Sequence, residues 1–454
     1  MARRGKAAGP AAKARLRASA GGEIVLLVWT DYVGLARCRG VPLMEFRSRL
    51  AHGLGWAVAG QALTPFEDIA PNPWGPMTEV RQTPVPETQT RVDIWDDAPA
   101  FHFALCDSML DGENWDCCAR GFYKQALSDL IAATGLTLAA AFEHEFLLSG
   151  NGLPWMVPFS VEQMRVAAPF TADLTRALIA AEVGLETVEP EYGVAQYEVS
   201  CAPAIGVAAA DRAVIAREVI REVARRRGFR ASFTPKPSPG SVGNGAHVHF
   251  SLVDRKGINR TYDAREKTGL SKLAQQFTAG VVRYMPEFCA LVASSPVSYL
   301  RLGPHHWSCG YAAFGIQNRE ATIRACPSPD PKAQARARAF NLEIRPPDAT
   351  ASPYMVLGAL VRAGLEGIQG ELPLPPVLDR DPADYSDAER AQLGVRALPG
   401  SLGEALDLML ASNVVSGWLP TPMLDSFVAV KRKEIEMFAE QSLEDMCRRY
   451  HDAY

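Results

Sequence analysis

Three short stretches place ligand-type side chains at alternate positions inside apolar segments: Glu143-His144-Glu145, His247-Val248-His249 with Ser251, and Glu343-Ile344-Arg345. Alternate residues of a strand share one face, so each stretch aims its pair in a single direction. Three such strands predict a cavity lined by carboxylates and imidazoles, suited to divalent metal and phosphate. The flanks of the first pair, Ala139 to Phe142 and Phe146 to Leu148, are apolar. That makes its strand central, and a carboxylate buried there needs a cation to offset its desolvation.

Further candidates lie between these stretches. Glu191 and Glu198 bracket a loop-to-strand segment with few other charges. His247 and His249 follow a turn, Gly243-Asn244-Gly245, whose glycines allow a ligand to approach backbone N–H groups. Arg345 in an apolar setting calls for an anion, and its planar fork suits carboxylate or phosphate. Arg301, Arg319 and Arg324 punctuate a weakly charged stretch. Surface arginines are commonly just solvated, and His-x-His also recurs by accident. Together with the carboxylates, however, the arginines point to phosphoryl transfer. The chain has no Walker-type phosphate loop and no dinucleotide-binding glycine fingerprint.

These groups must be positioned by a chain of 454 residues, enough for two or more domains. A net charge of -4 argues against nucleic-acid binding through phosphate neutralisation. No apolar run approaches the roughly 20 residues needed to cross a bilayer, so no membrane partner is expected. Nine cysteines without a leader segment predict reduced thiols and a cytoplasmic location. The adjacent Cys117 and Cys118 lack the second pair that a zinc site needs. Residues 1–22 carry six basic side chains and no acid, and are expected to form a disordered basic tail.

Glu23 to Thr30 reads as a buried strand with a return strand through Gly40, followed by a short helix to Gly53. Proline-dense chain to Pro86 and strands at Arg91–Ile94 and Ala100–Leu105 complete a small domain over 23–112. A polar linker, Asp107 to Asp116, separates it from a larger domain over 117–454. There, helices are predicted at Ala119–Thr134 (capped by Gly135), Arg212–Arg227, Leu270–Ser294, Pro353–Ile368 and Leu402–Leu410 (capped by Ser401). Strands between them give an α+β class.

In order along the chain, the marks resemble the glutamine synthetase family. They are the Glu-x-Glu strand, Glu191 with Gln196-x-Glu198, Lys236-Pro to Gly243-Asn-Gly-x-His-x-His-x-Ser251, Arg301-Leu-x-Pro, Asn318-Arg319-x-Ala-x-x-Arg324 and Glu343-x-Arg-x-Pro-Asp348. The resemblance implies a β-grasp N-terminal domain and a catalytic domain built on a curved antiparallel sheet. It also implies ring oligomers, often dodecamers, with active sites between subunits. By similarity, Glu145, Glu191 and Glu198 would hold one Mg2+ or Mn2+, and Glu143, His247 and Glu343 another. His249 and Ser251 would touch ATP, with Arg319 and Arg324 on its phosphates as the catalytic arginines. Arg301, Arg345 and the Gly243 backbone would bind glutamate. The implied chemistry phosphorylates the glutamate γ-carboxylate, and an amine then attacks the acyl phosphate.

Two departures bear on the amine. Where the family supplies a flap glutamate after Arg-Leu-x-Pro, this chain has Trp307. The family's Asp-Gly-Ser-Ser segment is replaced by Leu54 to Gly60, which contains Trp56. Loss of both carboxylates removes the expected ammonium site. The sequence therefore predicts a glutamate–amine ligase making a γ-glutamylamide, with Trp307 and Trp56 lining a pocket for an aromatic or small apolar amine. The alternatives are ordinary glutamine synthetase and a non-enzymatic member; the latter should have lost metal or arginine residues, and this chain keeps them.

Overall fold

The computed structural model describes residues 22–150 and 152–454; most of the basic tail, residues 1–21, lies outside the described residues. The first sheet holds strands β1 (Ile24–Thr30), β2 (Ala36–Pro42), β3 (Leu54–Ala57), β4 (Glu79–Pro84), β5 (Thr90–Val92), β6 (Phe101–Leu110) and β7 (Glu113–Asn114). Its order is β2-β1-β6-β4-β3, with β5 and β7 on β6. A β1–β2 hairpin, a helix at Leu43–His52 and a parallel β1–β6 pair make it the expected β-grasp.

The polar stretch predicted as a linker is largely strand. β6 runs through Asp107 to Leu110, and β7 pairs back on it across Asp111-Gly112. Both turn residues take positive φ, 50° and 88°. Asp-Gly is the two-residue hairpin signal, and the local polarity masked it. Asp107 is anchored by Arg120 Nη1 at 2.6 Å and Lys124 Nζ at 3.0 Å from the next helix.

That helix, Ala119–Thr134, ends where Gly135 turns left-handed at φ 73°. A second sheet follows: β8 (Thr137–Ser149), β9 (Leu185–Pro190), β10 (Gln196–Cys201), β11 (Ala204–Ile205), β12 (Arg230–Ser232) and β13 (Ala246–Val253). Beyond the small β14 (Tyr311–Ala312), β15 (Phe314–Ile316), β16 (Ile323–Cys326) and β17 (Asn341–Ile344) complete it. The order is β15-β16-β17-β13-β8-β10-β9, with β11 and β12 on β8. Helices Ala208–Arg226, Lys272–Val292, Pro353–Gln369 and Leu402–Ala411 stand close to their predicted spans.

Along β8 burial alternates residue by residue. Leu138, Ala140, Phe142, His144, Phe146 and Leu148 enter the core, which leaves Glu143 and Glu145 on the opposite face. A slip of one residue would exchange the two faces, so this apolar series fixes where the carboxylates point.

Candidate active site

The pairings β10–β8–β13–β17–β16 bring the three motifs side by side. Glu198 stands opposite Glu145, His247 opposite Glu143, His249 opposite Glu343, and Arg324 opposite Glu343. His249 Nε2 lies 3.1 Å from Glu143 Oε1. His247 Nδ1 lies 3.6, 3.8 and 3.9 Å from oxygens of Glu145, Glu143 and Glu343. Three donor sets have atoms close enough to share an ion: Glu143–Glu198–His247, Glu143–His249–Glu343 and Glu189–Glu191–Glu198. Five of the six residues expected to hold metal fall in these sets, and the sixth, Glu145, stands beside them against His247. The geometric grouping also draws in His249, expected at ATP, and Glu189, which the sequence reading passed over. The signal for Glu189 was its i, i+2 spacing to Glu191 across Pro190.

The electrostatics fit cations. Burial, then Glu143, Glu145 and Glu191, push the Glu198 carboxyl up to about 10. Burial and then Glu145 raise Glu191 to about 7. Like-charged carboxylates facing one another in a desolvated cleft repel until a proton or a metal ion intervenes. Glu143 shows the reverse balance: burial works against ionisation, and His247 and His249 overcome it and hold it well below the usual range. At His249 burial opposes the charge, but its hydrogen bonding with Cys326 and to the Glu143 carboxylate prevails and raises it to about 11.

A turn braces this cluster. Gln196 Nε2 donates to Gly243 O and to Asn244 Oδ1, each at 2.8 Å, and Asn244 Nδ2 donates to Thr234 O at 2.9 Å. The Gly245 N–H, expected to face a ligand, is engaged within the chain by Glu145 Oε2 at 2.9 Å. At Gly243 a Cβ would meet Arg301 Cγ at 2.6 Å, so glycine is needed for that close packing.

The arginines divide. Glu343 is fully buried between Arg345, whose Nη1 donates to it, and Arg324, whose Nε lies 2.5 Å away without hydrogen-bond alignment. Arg301 is buried, bonded through Nη2 to the Pro346 and Pro347 carbonyls, and its Nε has no partner. Arg345 Nε is likewise buried and unpartnered. These free N–H groups are what a bound carboxylate would satisfy. Arg319 is exposed and acts on Glu191 through its field. Ser251 Oγ donates to the Phe340 carbonyl at 3.2 Å.

Trp307 sits on a loop where His305, Trp307 and Cys309 all adopt positive φ, between 52° and 62°. Such backbone persists only when its surroundings over-determine it. Here Arg345 Nη2 donates to the Trp307 carbonyl at 2.6 Å, Trp307 N–H donates to Glu320 Oε1 at 2.8 Å, and His305 Nδ1 meets Asp381 Oδ2 at 2.9 Å. Trp307 as a whole is 63% exposed. Trp56 lies in the other sheet, packed edge-on against Trp29 at 4.7 Å between centroids, and among the described residues no contact joins it to Trp307. Glu320 escaped the sequence reading because it fills an unmatched position inside Asn-Arg-x-Ala-x-x-Arg.

Comparison with known proteins gives the family. Residues 116–450 match the family described as glutamine synthetase, catalytic domain, and residues 13–115 match glutamine synthetase N-terminal domain. The chain is 32% identical over 421 residues to gamma-glutamylpolyamine synthetase GlnA3 of Streptomyces coelicolor, covering 90% of this chain and 89% of that protein. It is 26% identical to the glutamine synthetase of Pyrococcus abyssi, covering 92% and 91%. A crystal structure described as a novel glutamine synthase homolog superposes with a TM-score of 0.87 at 40% identity, covering 95% and 98%. A GmaS/ADP complex superposes with a TM-score of 0.79 at 24% identity, covering 94% and 96%, a likeness of fold. The chain therefore belongs to the glutamine synthetase family of ATP-dependent, C–N bond-forming ligases.

Proposed function

We propose that this protein couples the γ-carboxylate of glutamate to an amine other than ammonium, at the expense of ATP, giving a γ-glutamylamide. The observation that carries the reading is Trp307: an exposed residue stands where the family places a flap carboxylate, while the carboxylate and histidine cluster remains, with Arg324 and Arg345 on Glu343. The similarity to a gamma-glutamylpolyamine synthetase supports a γ-glutamylamide product. Trp307 favours an aromatic or small apolar amine as the acceptor.

Glu143, Glu145, Glu191, Glu198, His247 and Glu343 would hold two Mg2+ or Mn2+ ions, with Glu189 and His249 at the margins. Bound there, the ions would offset charge on the transferring phosphoryl oxygens. The free Nε groups of Arg301 and Arg345 would orient glutamate carboxylates, with the Gly243 backbone near its amino group. His249 and Ser251 would border ATP, and Arg319 and Arg324 would act on its phosphates. The bound glutamate and the loop around Trp307 would exclude water from the acyl phosphate.

We also propose that the domains divide near residues 112–117. A ring oligomer of the dodecamer type would set Trp56 of one subunit beside Trp307 of the next. All nine cysteines are unpaired, which supports a reducing, cytoplasmic setting; no described helix is long and apolar enough to cross a membrane. The test is ATP-dependent phosphate release with glutamate and a panel of amines, with product mass measured. Turnover of ammonium alone, with no amine accepted, would return the protein to ordinary glutamine synthetase.

A further inference from the structure

Glu320 is 8% exposed, and only one of its oxygens is used. Oε1 accepts the Trp307 N–H at 2.8 Å, whereas Oε2 is buried without a partner. The same residue, Trp307, gives its carbonyl to Arg345 Nη2 at 2.6 Å, and Arg345 Nη1 reaches Glu343 of the metal-type cluster. One residue's span therefore separates Glu320 from the guanidinium that borders the glutamate end of the cavity. The charged groups that act on Glu320 are Asp381, Arg345 and His305. None of them bonds Oε2. A buried carboxylate oxygen left open costs stability, which is the mark of a group kept for a ligand.

We propose that Glu320 binds the acceptor amine as an ammonium ion and takes its first proton. This rests on the amine-ligase reading and narrows its substrate class to primary alkylamines, which are cations at neutral pH, in place of anilines, which are not. The alkyl body would lie against the exposed Trp307 indole. The alkylammonium gives one proton to Glu320. Its nitrogen lone pair then forms the C–N bond at the γ-carbon, and the C–O bond to phosphate breaks, its electron pair leaving with phosphate. The second N–H proton goes to that phosphate, and the proton on Glu320 passes to solvent. Burial, the largest influence on Glu320, raises its proton affinity, and Asp381 adds to that against the Trp307 N–H, Arg345 and His305. The direction suits a proton acceptor.

Glu320→Gln separates this role from simple support of the loop, because the amide oxygen still accepts from Trp307 while the charge is gone. The assay compares kcat/KM for ethylamine with that for hydroxylamine, a neutral nucleophile, at saturating ATP and glutamate, between about pH 6.5 and 9. The expected ethylamine rate falls about ten- to hundredfold more than the hydroxylamine rate, its pH profile moves toward the alkaline side, and the glutamate KM holds. Glu320→Asp, which restores the charge, should recover part of the loss. An equal loss with both nucleophiles, or a wild-type enzyme that prefers aniline to ethylamine, overturns the proposal and leaves the amine-ligase reading standing. Should the wild type accept ammonium alone, the amine-ligase reading falls, and the same comparison of ammonium with hydroxylamine decides the role of Glu320.

Discussion

Gly245 leaves the space that the His247 imidazole occupies: a Cβ there would lie 2.6 Å from Nε2. The Gly245 N–H also holds Glu145 Oε2 at 2.9 Å. One glycine thus positions an imidazole and a carboxylate of the same cluster. Gly245→Ala should push the ring off its register and weaken Mg2+ binding about 10- to 100-fold. Isothermal titration would measure the affinity and thermal unfolding the fold. An unchanged affinity would mean that the ring is not a ligand.

Glu343 is fully buried and is the carboxylate against which both Arg345 and Arg324 lie. Glu343→Gln leaves two guanidinium groups facing an amide, and breaking a buried pair from one side costs about 3–5 kcal/mol. Denaturant unfolding should register a loss of that order together with lost phosphoryl transfer. A midpoint displaced by less than about 1 kcal/mol would show that solvent or the neighbouring histidines take over the pairing.

The sheet carrying Glu143, His247 and Glu343 was legible in the sequence because a two-residue period needs only one strand to declare itself, and Ala139 to Leu148 did so. The grouping of ligands was not, since it depends on cross-strand register, such as His249 falling opposite Glu343. Asp111-Gly112 was misread because hairpin and linker share polar residues and differ only in the pairing that follows. Glu320 was invisible for another reason. Its bond to Trp307 joins residues 13 apart across a loop whose positive φ values no periodicity encodes.

His144, between Glu143 and Glu145, points to the opposite face of the strand. Its ring stacks on Phe142 at 5.7 Å, both nitrogens lack partners, and it is 1% exposed. Burial, reinforced by Arg217, drives its pKa well below the ordinary imidazole value. The folded state then binds fewer protons than the unfolded chain. Stability is therefore complete above about pH 6.5 and falls as pH drops below it, by up to about 1.4 kcal/mol per unit from this one group. His144→Leu should flatten that acid limb, which unfolding midpoints at several pH values would display. An unaltered acid slope would mean the imidazole is hydrated or bonded in solution.

Trp307 meets its neighbours through the backbone, while the indole is free. Side-chain removal should therefore spare the loop's anchors and strike the acceptor alone. At φ 52° glycine carries no strain and alanine does, so Trp307→Gly is the cleaner variant. Loss of an aromatic face should raise the KM for a butyl-type amine about five- to thirtyfold, equivalent to about 1–2 kcal/mol, with that for glutamate little changed. If the two constants rise together, the indole is packing the flap and the apolar pocket does not exist. If only the amine constant moves, and moves further with each added methylene, the selectivity resides on the exposed Trp307 side chain.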